Sequence, residues 1–148
     1  MAIEIRLLQP DEAKLLTHVA EDLFDDPLVP HATQEFLHDA RHHLAIAREE
    51  ELLIGFASGV HYVHPDKPHP EFWINEVGVA PTHHGRGIGK ALMRVLLEHA
   101  RHLGCSEAWV LTERDNIPAM RLYAATGGVE AEPETVMFNF DLKRAARE

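Results

Sequence analysis

The stretch His83-His84-Gly85-Arg86-Gly87-Ile88-Gly89-Lys90-Ala91-Leu92 decides the fold of this 148-residue chain. Apolar residues from Phe72 to Val79 precede it, and such a run is typical of a buried strand. From Gly87 to Leu103 the apolar residues recur at helical spacing, and Gly104 follows as a natural helix end. The stretch therefore predicts a central strand, a glycine loop and a long amphipathic helix.

The glycine loop has the features of an anion-binding site. Gly85, Gly87 and Gly89 carry no side chains, so successive backbone N–H groups are free to converge on one ligand at the start of the helix. A helix N-terminus also carries about half a positive elementary charge. Arg86 and Lys90 add full positive charges, and the loop is therefore predicted to bind a pyrophosphate.

The spacing of the loop excludes two common nucleotide-binding motifs. The dinucleotide fingerprint requires a third glycine three residues after the second. That position is Lys90 if Gly87 is the second glycine, and Leu92 if Gly89 is the second. The Walker A motif requires a glycine where His84 stands and a hydroxyl residue where Ala91 stands. Neither a Rossmann fold nor a P-loop is predicted.

The remaining periodicities predict an α/β (α+β) fold formed by a single domain over residues 1–148. We expect a mixed, mostly antiparallel central sheet with helices on both faces. The predicted strands are Ile3–Leu7, Leu44–Arg48, Leu52–Tyr62, Phe72–Val79, Glu107–Thr112 and a closing Thr135–Leu142. The other predicted helices run from Pro10 to Phe24, from Thr33 to Arg41 and from Asn116 to Thr126.

The composition restricts the partners and the compartment. With 24 acidic and 14 basic side chains the formal charge is -10, which disfavours nucleic acid and favours cationic partners. Cys105 is the only cysteine, and no signal peptide or membrane-spanning run is evident, so we expect a cytoplasmic protein with no membrane association. The 12 histidines lack zinc-site spacing, and no metal is expected.

Two segments resemble a known family. The run Val77-Gly78-Val79-Ala80-Pro81, followed by Gly85 to Leu92, closely resembles the cofactor motif of the GNAT superfamily of N-acetyltransferases. Asn116 to Tyr123, followed by Gly127-Gly128, resembles the next conserved segment. One departure is His84, which stands where the family has arginine or glutamine.

The resemblance implies a GNAT fold, acetyl-CoA as cofactor and CoA as product. It implies that the backbone of Val77, Gly78 and Val79 pairs with the pantetheine arm. The other positions that it assigns to cofactor binding are His84, Gly85, Arg86, Gly87, Ile88, Gly89, Lys90, Asn116, Ala119 and Tyr123. A homodimer is compatible with the resemblance.

Acetyl transfer to an amine requires a base that removes a proton from the amine and an acid that protonates the departing thiolate. Glu76 lies inside an otherwise apolar strand and is the candidate base. Asn75, its neighbour, is expected to face the opposite side of the sheet. Tyr123 is protonated at neutral pH, and the resemblance assigns it the role of acid. Asn116 is expected to cap the helix that carries Tyr123.

An acidic cluster suggests the class of acceptor. Asp22, Asp25 and Asp26 lie near the end of the first predicted helix, in a segment that lines the acceptor side of the cleft in this superfamily. They favour a polycationic small-molecule amine. Glu113, Asp115 and Glu134 are candidates for an extension of this acidic wall.

A finer resemblance is to the small aminoglycoside 3-N-acetyltransferases. The matching segments are Asp22-Leu23-Phe24, Glu76-Val77-Gly78-Val79, Leu122-Tyr123 and Val136-Met137. Two alternatives stay open. One is a GNAT enzyme for another amine, such as a polyamine or a protein lysine or N-terminus, and the other is a non-catalytic acetyl-CoA-binding module.

Overall fold

The computed structural model describes residues 2–143, which form a five-stranded sheet with helices on both faces. The strands are β1 (Ile3–Leu7), β2 (His42–Glu49), β3 (Leu52–Tyr62), β4 (Glu71–Val79) and β5 (Glu107–Val110). The α-helices are α1 (Pro30–His38), α2 (Ile88–His102) and α3 (Ile117–Ala125). The strands lie in chain order, antiparallel from β1 to β4, and β5 pairs with β4 in parallel. The predicted fold class is confirmed.

The sheet separates two apolar cores. On one face α2 packs through Ile88, Leu92 and Leu96 against the small side chains of β2 and β3. Gly55 permits this close approach, because a methyl group there would lie 3.1 Å from Leu92. On the other face Leu37 of α1 joins a second core that includes Ile46, Leu53 and Phe56. These are the α2 face and the α1 face of the sheet.

The prediction of a helix from Pro10 to Phe24 was wrong. A single 3-10 turn, Ala13–Leu16, is followed by an irregular loop that is attached to the sheet. The Leu53 N–H donates to the carbonyl of His18, and the Ala20 N–H donates to the carbonyl of Leu53. The backbone groups that a helix would bond internally are instead used by β3, so tertiary pairing overrides the helical periodicity.

The predicted closing strand Thr135–Leu142 is also not observed. Among residues 2–143 no strand pairs with this segment, and its apolar side chains are exposed, with Phe138 at 77%. Its alternating pattern is strand-like, but alternation produces a strand only where a partner supplies backbone hydrogen bonds. The sheet of the described residues therefore ends at β5.

Candidate functional site

The glycine loop has the backbone conformation that an anion site requires. Gly85 and Gly87 are left-handed, with φ of 75° and 78°, and no heavy atom lies within 4 Å of where a Cβ would stand. Gly87 is the N-cap of α2, and the Gly87 carbonyl accepts from the Ala91 N–H at 3.1 Å. The N–H groups of Ile88, Gly89 and Lys90 precede Ala91, the first intrahelical donor, so no helix carbonyl accepts from them and they are available to a ligand. The loop thus presents both space and unpaired donors.

A buried histidine fastens this loop to the β2–β3 turn. His83 is hydrogen-bonded to Glu49 at 3.0 Å through Nε2 and to the Thr82 hydroxyl at 2.8 Å through Nδ1. Glu49 also lies 3.8 Å from the Arg86 guanidinium. The hydrogen bond from His83 holds the pKa of Glu49 below its ordinary value, with the positive charge of Arg86 contributing less. Glu49 therefore anchors the loop from the neighbouring turn.

The strand before the loop has a free edge. β4 pairs with β5 only over Glu71–Ile74, whereas β3 continues to pair with β4 as far as Val79. The edge of residues 75–79 that faces β5 has no strand partner in the described part of the chain. The His84 ring is hydrogen-bonded to the carbonyl of Val79 at 2.7 Å, so it closes the loop back onto the strand end. Parallel strands that separate in this way leave a gap lined by backbone groups.

Helix α3 borders this gap on the α2 face. Asn116 caps it as expected, because its side-chain oxygen accepts from the Ala119 N–H at 3.2 Å. Leu122 packs against the first turn of α2, because a methyl group on Gly89 in that turn would lie 3.5 Å from the Leu122 side chain. The neighbouring Tyr123 is half-buried against the α2-face core, and this burial raises its pKa. The phenol thus keeps its proton at neutral pH.

Glu76 lies on the α1 face of the same strand. A bulge pairs Ser58 with Glu76 but Gly59 with Ile74, so Asn75 is an extra residue in β4. Strict alternation fails there, and the prediction that Asn75 faces away from Glu76 loses its geometric basis. Glu76 is exposed to solvent. Desolvation, followed by the negative charge of Asp25, raises its pKa above the ordinary value.

The acidic loop crosses the sheet beside Glu76. The rings of Phe24 and Phe56 stack at 4.2 Å, and the Leu23 carbonyl would lie 3.2 Å from a methyl group on Gly78. These contacts hold the loop over β4 without space for a side chain at position 78. An open cleft of about 730 Å³ lies between the loop and α1, and its lining includes Asp22, Asp25 and Asp26.

The predicted residues thus fall into two groups on opposite faces of the sheet. The glycine loop and Tyr123 lie on the α2 face, and Glu76 and the aspartates lie on the α1 face. The gap between β4 and β5 joins the two sides. Of the other acidic candidates, Glu113, Asp115 and Glu134 are exposed and outside this cleft.

Sequence reasoning missed the Glu49–His83 pair, because its two members are separated by 34 residues in the chain. It also missed a chain in which His43 is hydrogen-bonded to His61 at 2.8 Å and to His99 at 2.9 Å. Burial lowers the pKa of His43 to about 4. Among residues 2–143 no group of three or more metal-ligating side chains is arranged to hold an ion. In the same range no helix is long and apolar enough to cross a bilayer.

Comparison with known proteins shows the family of the chain. The model of the acetyltransferase (GNAT) family matches residues 7–127. The N-alpha-acetyltransferase RimI of Mycobacterium tuberculosis is 32% identical over 127 residues, which cover 84% of this chain and 77% of RimI. A mycothiol acetyltransferase of Saccharomonospora viridis is 32% identical over 74% of this chain, which spans only 37% of that protein.

Solved structures show the same fold. An aminoglycoside acetyltransferase from an uncultured soil metagenomic sample, crystallised with trehalose, superimposes with a TM-score of 0.79. The match covers 95% of this chain and 96% of that one, at 19% sequence identity. Family membership brings with it the use of acetyl-CoA. The chain belongs to the GNAT acetyltransferase family and is an acetyl-CoA-dependent N-acetyltransferase.

Proposed function

We propose that the enzyme acetylates a primary amine of a cationic small molecule, and that an aminoglycoside, at its 3-amino group, is the first acceptor to test. The observation that carries this proposal is the acidic cleft beside Glu76. Three aspartates line it, and the charge of Asp25 reaches Glu76. Several carboxylates around one cleft attract an acceptor that bears several ammonium groups.

Glu76 is proposed as the base. An acceptor ammonium must lose a proton before its nitrogen attacks a thioester, and a carboxylate with a raised pKa is a better proton acceptor than an ordinary one. The same negative charge binds the ammonium before reaction. Asp25 contributes to both effects, because it raises the pKa of Glu76 and adds to the field in the cleft.

The α2 face fits the proposed cofactor contacts. Left-handed Gly85 and Gly87 leave open space in front of the N–H groups that begin α2, which suits a diphosphate. The unpaired edge of residues 75–79 offers backbone groups to the amides of a pantetheine arm. Bound acetyl-CoA supplies the activated acetyl thioester. Tyr123 is proposed to hold the proton that the departing sulfur takes up.

Tyr123→Phe is expected to lower kcat by roughly tenfold to a hundredfold, because the ring keeps its packing while the proton donor is lost. The KM for acetyl-CoA should change less than threefold. Steady-state kinetics with both substrates varied would measure this. Tyr62→Phe is a matched control for kcat alone, since the Tyr62 hydroxyl donates to Glu71, away from the gap. An unchanged kcat in Tyr123→Phe would rule out the acid role.

The acceptor class is tested by CoA-thiol release across a panel. The panel contains an aminoglycoside with a free 3-amino group, spermidine, and a short peptide with a free N-terminus. We expect the aminoglycoside to give the highest kcat/KM. The 32% identity to RimI makes the peptide the second candidate, because that relative is an N-alpha-acetyltransferase.

Each other outcome of the panel points to a definite alternative. Turnover of the peptide with no turnover of any aminoglycoside would overturn the small-molecule proposal. A higher kcat/KM for spermidine than for the aminoglycoside would support a cationic small-molecule acceptor but reject an aminoglycoside as the preferred one. Tight binding of CoA by calorimetry, with no thiol release from any of the three amines, would reject all three acceptor classes.

A further inference from the structure

Two tryptophans form a stacked pair on the α1 face of the sheet. The rings of Trp73 in β4 and Trp109 in β5 are parallel within 8°, with centroids 5.2 Å apart. These two positions pair in register, so both indoles stand on the same face. Trp73 remains 38% exposed although it is a large apolar side chain. An exposed indole stack of this kind is a surface on which a ligand can rest.

Hydrogen bonds hold the Trp109 ring of the stack in place. The Trp109 indole N–H donates to the Tyr62 hydroxyl at 2.6 Å, and that hydroxyl donates to Glu71 at 3.1 Å. His64 is hydrogen-bonded to the other oxygen of Glu71 at 2.9 Å. Trp109 is therefore fixed in orientation and occupies one side of Trp73, so a ligand would meet the remaining face of the Trp73 ring.

The same patch is acidic. Glu71 and Glu107 pair directly across β4 and β5, a placement of like charges that is unfavourable without a cation nearby. No lysine or arginine of residues 2–143 lies within 4.0 Å of either carboxylate, and the side chains hydrogen-bonded to Glu71 are His64 and Tyr62. An indole face flanked by carboxylates is the environment that an organic cation prefers.

The patch lies at a fixed distance from Glu76. Trp73 and Glu76 are on the same strand and the same face, because the bulge at Asn75 shifts the alternation by one residue. Three residues of strand span about 10 Å, and a bulge shortens this to roughly 7–10 Å. An acceptor whose reacting amine is at Glu76 would therefore place a second group over Trp73.

We propose that Trp73, supported by Trp109, is a specificity-determining residue that binds a second cationic centre of the acceptor, roughly 7–10 Å from the amine that is acetylated. The inference rests on the proposed function, in which Glu76 receives that amine. It favours diamines and polyamines, aminoglycosides among them, over amines with a single charge.

The kinetic test compares linear diamines with monoamines of the same length in wild type and Trp73→Leu. For wild type we expect the KM of diamines to fall as the spacing between the nitrogens approaches roughly 7–10 Å. Trp73→Leu should raise the KM of the best diamine about fivefold to thirtyfold and leave that of the monoamine within twofold. The kcat and the KM for acetyl-CoA should not change, and Trp73→Phe should recover most of the affinity.

Leu52→Ala is the matched control, because Leu52 is 39% exposed in the β2–β3 region, and it should leave every acceptor KM unchanged. An equal rise for monoamines and diamines in Trp73→Leu would overturn the proposal. So would a Trp73→Phe variant that behaves like Trp73→Leu while both remain folded by thermal denaturation.

Fluorescence separates this proposal from the proposed function. The chain has only 2 tryptophans, and both belong to the stack, so tryptophan emission, excited selectively, reports on this patch alone. A long diamine added to the enzyme with CoA should change the emission saturably, and a monoamine should not. Saturable change without acetylation would retain the cation site and reject the acceptor class. Turnover of diamines without any emission change would reject the cation site alone.

Discussion

Glu76→Gln is expected to lower kcat/KM for the acceptor by roughly tenfold to several-hundredfold, because it removes the proposed general base. The amide retains the size of the side chain but accepts a proton poorly and carries no charge. The KM for acetyl-CoA should stay within twofold, because Glu76 lies on the α1 face, away from the glycine loop.

The pH dependence of this loss has a definite sign. Desolvation and Asp25 raise the pKa of Glu76 above 4.5, so the wild type should lose activity as the pH falls through that raised pKa. Glu76→Gln should lack this acidic limb. The deficit should be greatest between the pKa of Glu76 and that of the acceptor amine. It should shrink at higher pH, where the amine arrives neutral.

Glu51→Gln is the matched control, since Glu51 is exposed in the β2–β3 turn and should give wild-type kinetics. The measurement is kcat/KM across the pH range with the best acceptor of the panel. A Gln variant that keeps the acidic limb of the wild type would assign that limb to another group and would remove Glu76 as the base.

Gly87→Val is expected to weaken CoA binding by roughly thirtyfold or more, because it obstructs the amides that begin α2. Position 87 has a φ of 78°, so a β-branched residue there also introduces strain of about 1–2 kcal/mol. Calorimetric titration of CoA measures the loss of affinity, and thermal denaturation measures the strain.

Gly104→Val separates the two effects. Gly104 follows the other end of α2, has a φ of 84° and likewise has no heavy atom within 4 Å of its Cβ position. The Gly104→Val protein should be destabilised to a similar extent as the Gly87→Val protein and yet bind CoA like the wild type. If both variants lose CoA affinity equally, the loss reflects strain in α2, and the glycine loop is not the diphosphate site.

The central part of the fold was predictable because its signals are local. The glycine loop, α2 and the hairpin strands β2 and β3 depend on periodicity and turn residues within a few positions of each other. The conformation of the segment from Pro10 to Phe24 was not predictable, because its backbone is hydrogen-bonded to Leu53, which is distant in the sequence. The segment Thr135–Leu142 has the pattern of a strand, but a pattern does not supply a partner.

The site was predictable in its residues more than in its arrangement. Glu76 and Tyr123 stood out by charge and by motif, but their placement on opposite faces of the sheet depends on the bulge at Asn75. Strand alternation alone carries no sign of a bulge. Contacts between residues distant in sequence, such as Trp73 with Trp109, depend on strand register, which a single sequence does not specify.

We expect cofactor and acceptor to approach from opposite faces of the sheet and to meet at the gap between β4 and β5. A crystal structure with CoA and the best acceptor of the panel tests this most directly. We expect the diphosphate at the N–H groups that begin α2, the thiol in the gap, and an acceptor nitrogen within hydrogen-bonding distance of Glu76. An acceptor bound on the α2 face, or a diphosphate away from the glycine loop, would contradict the account.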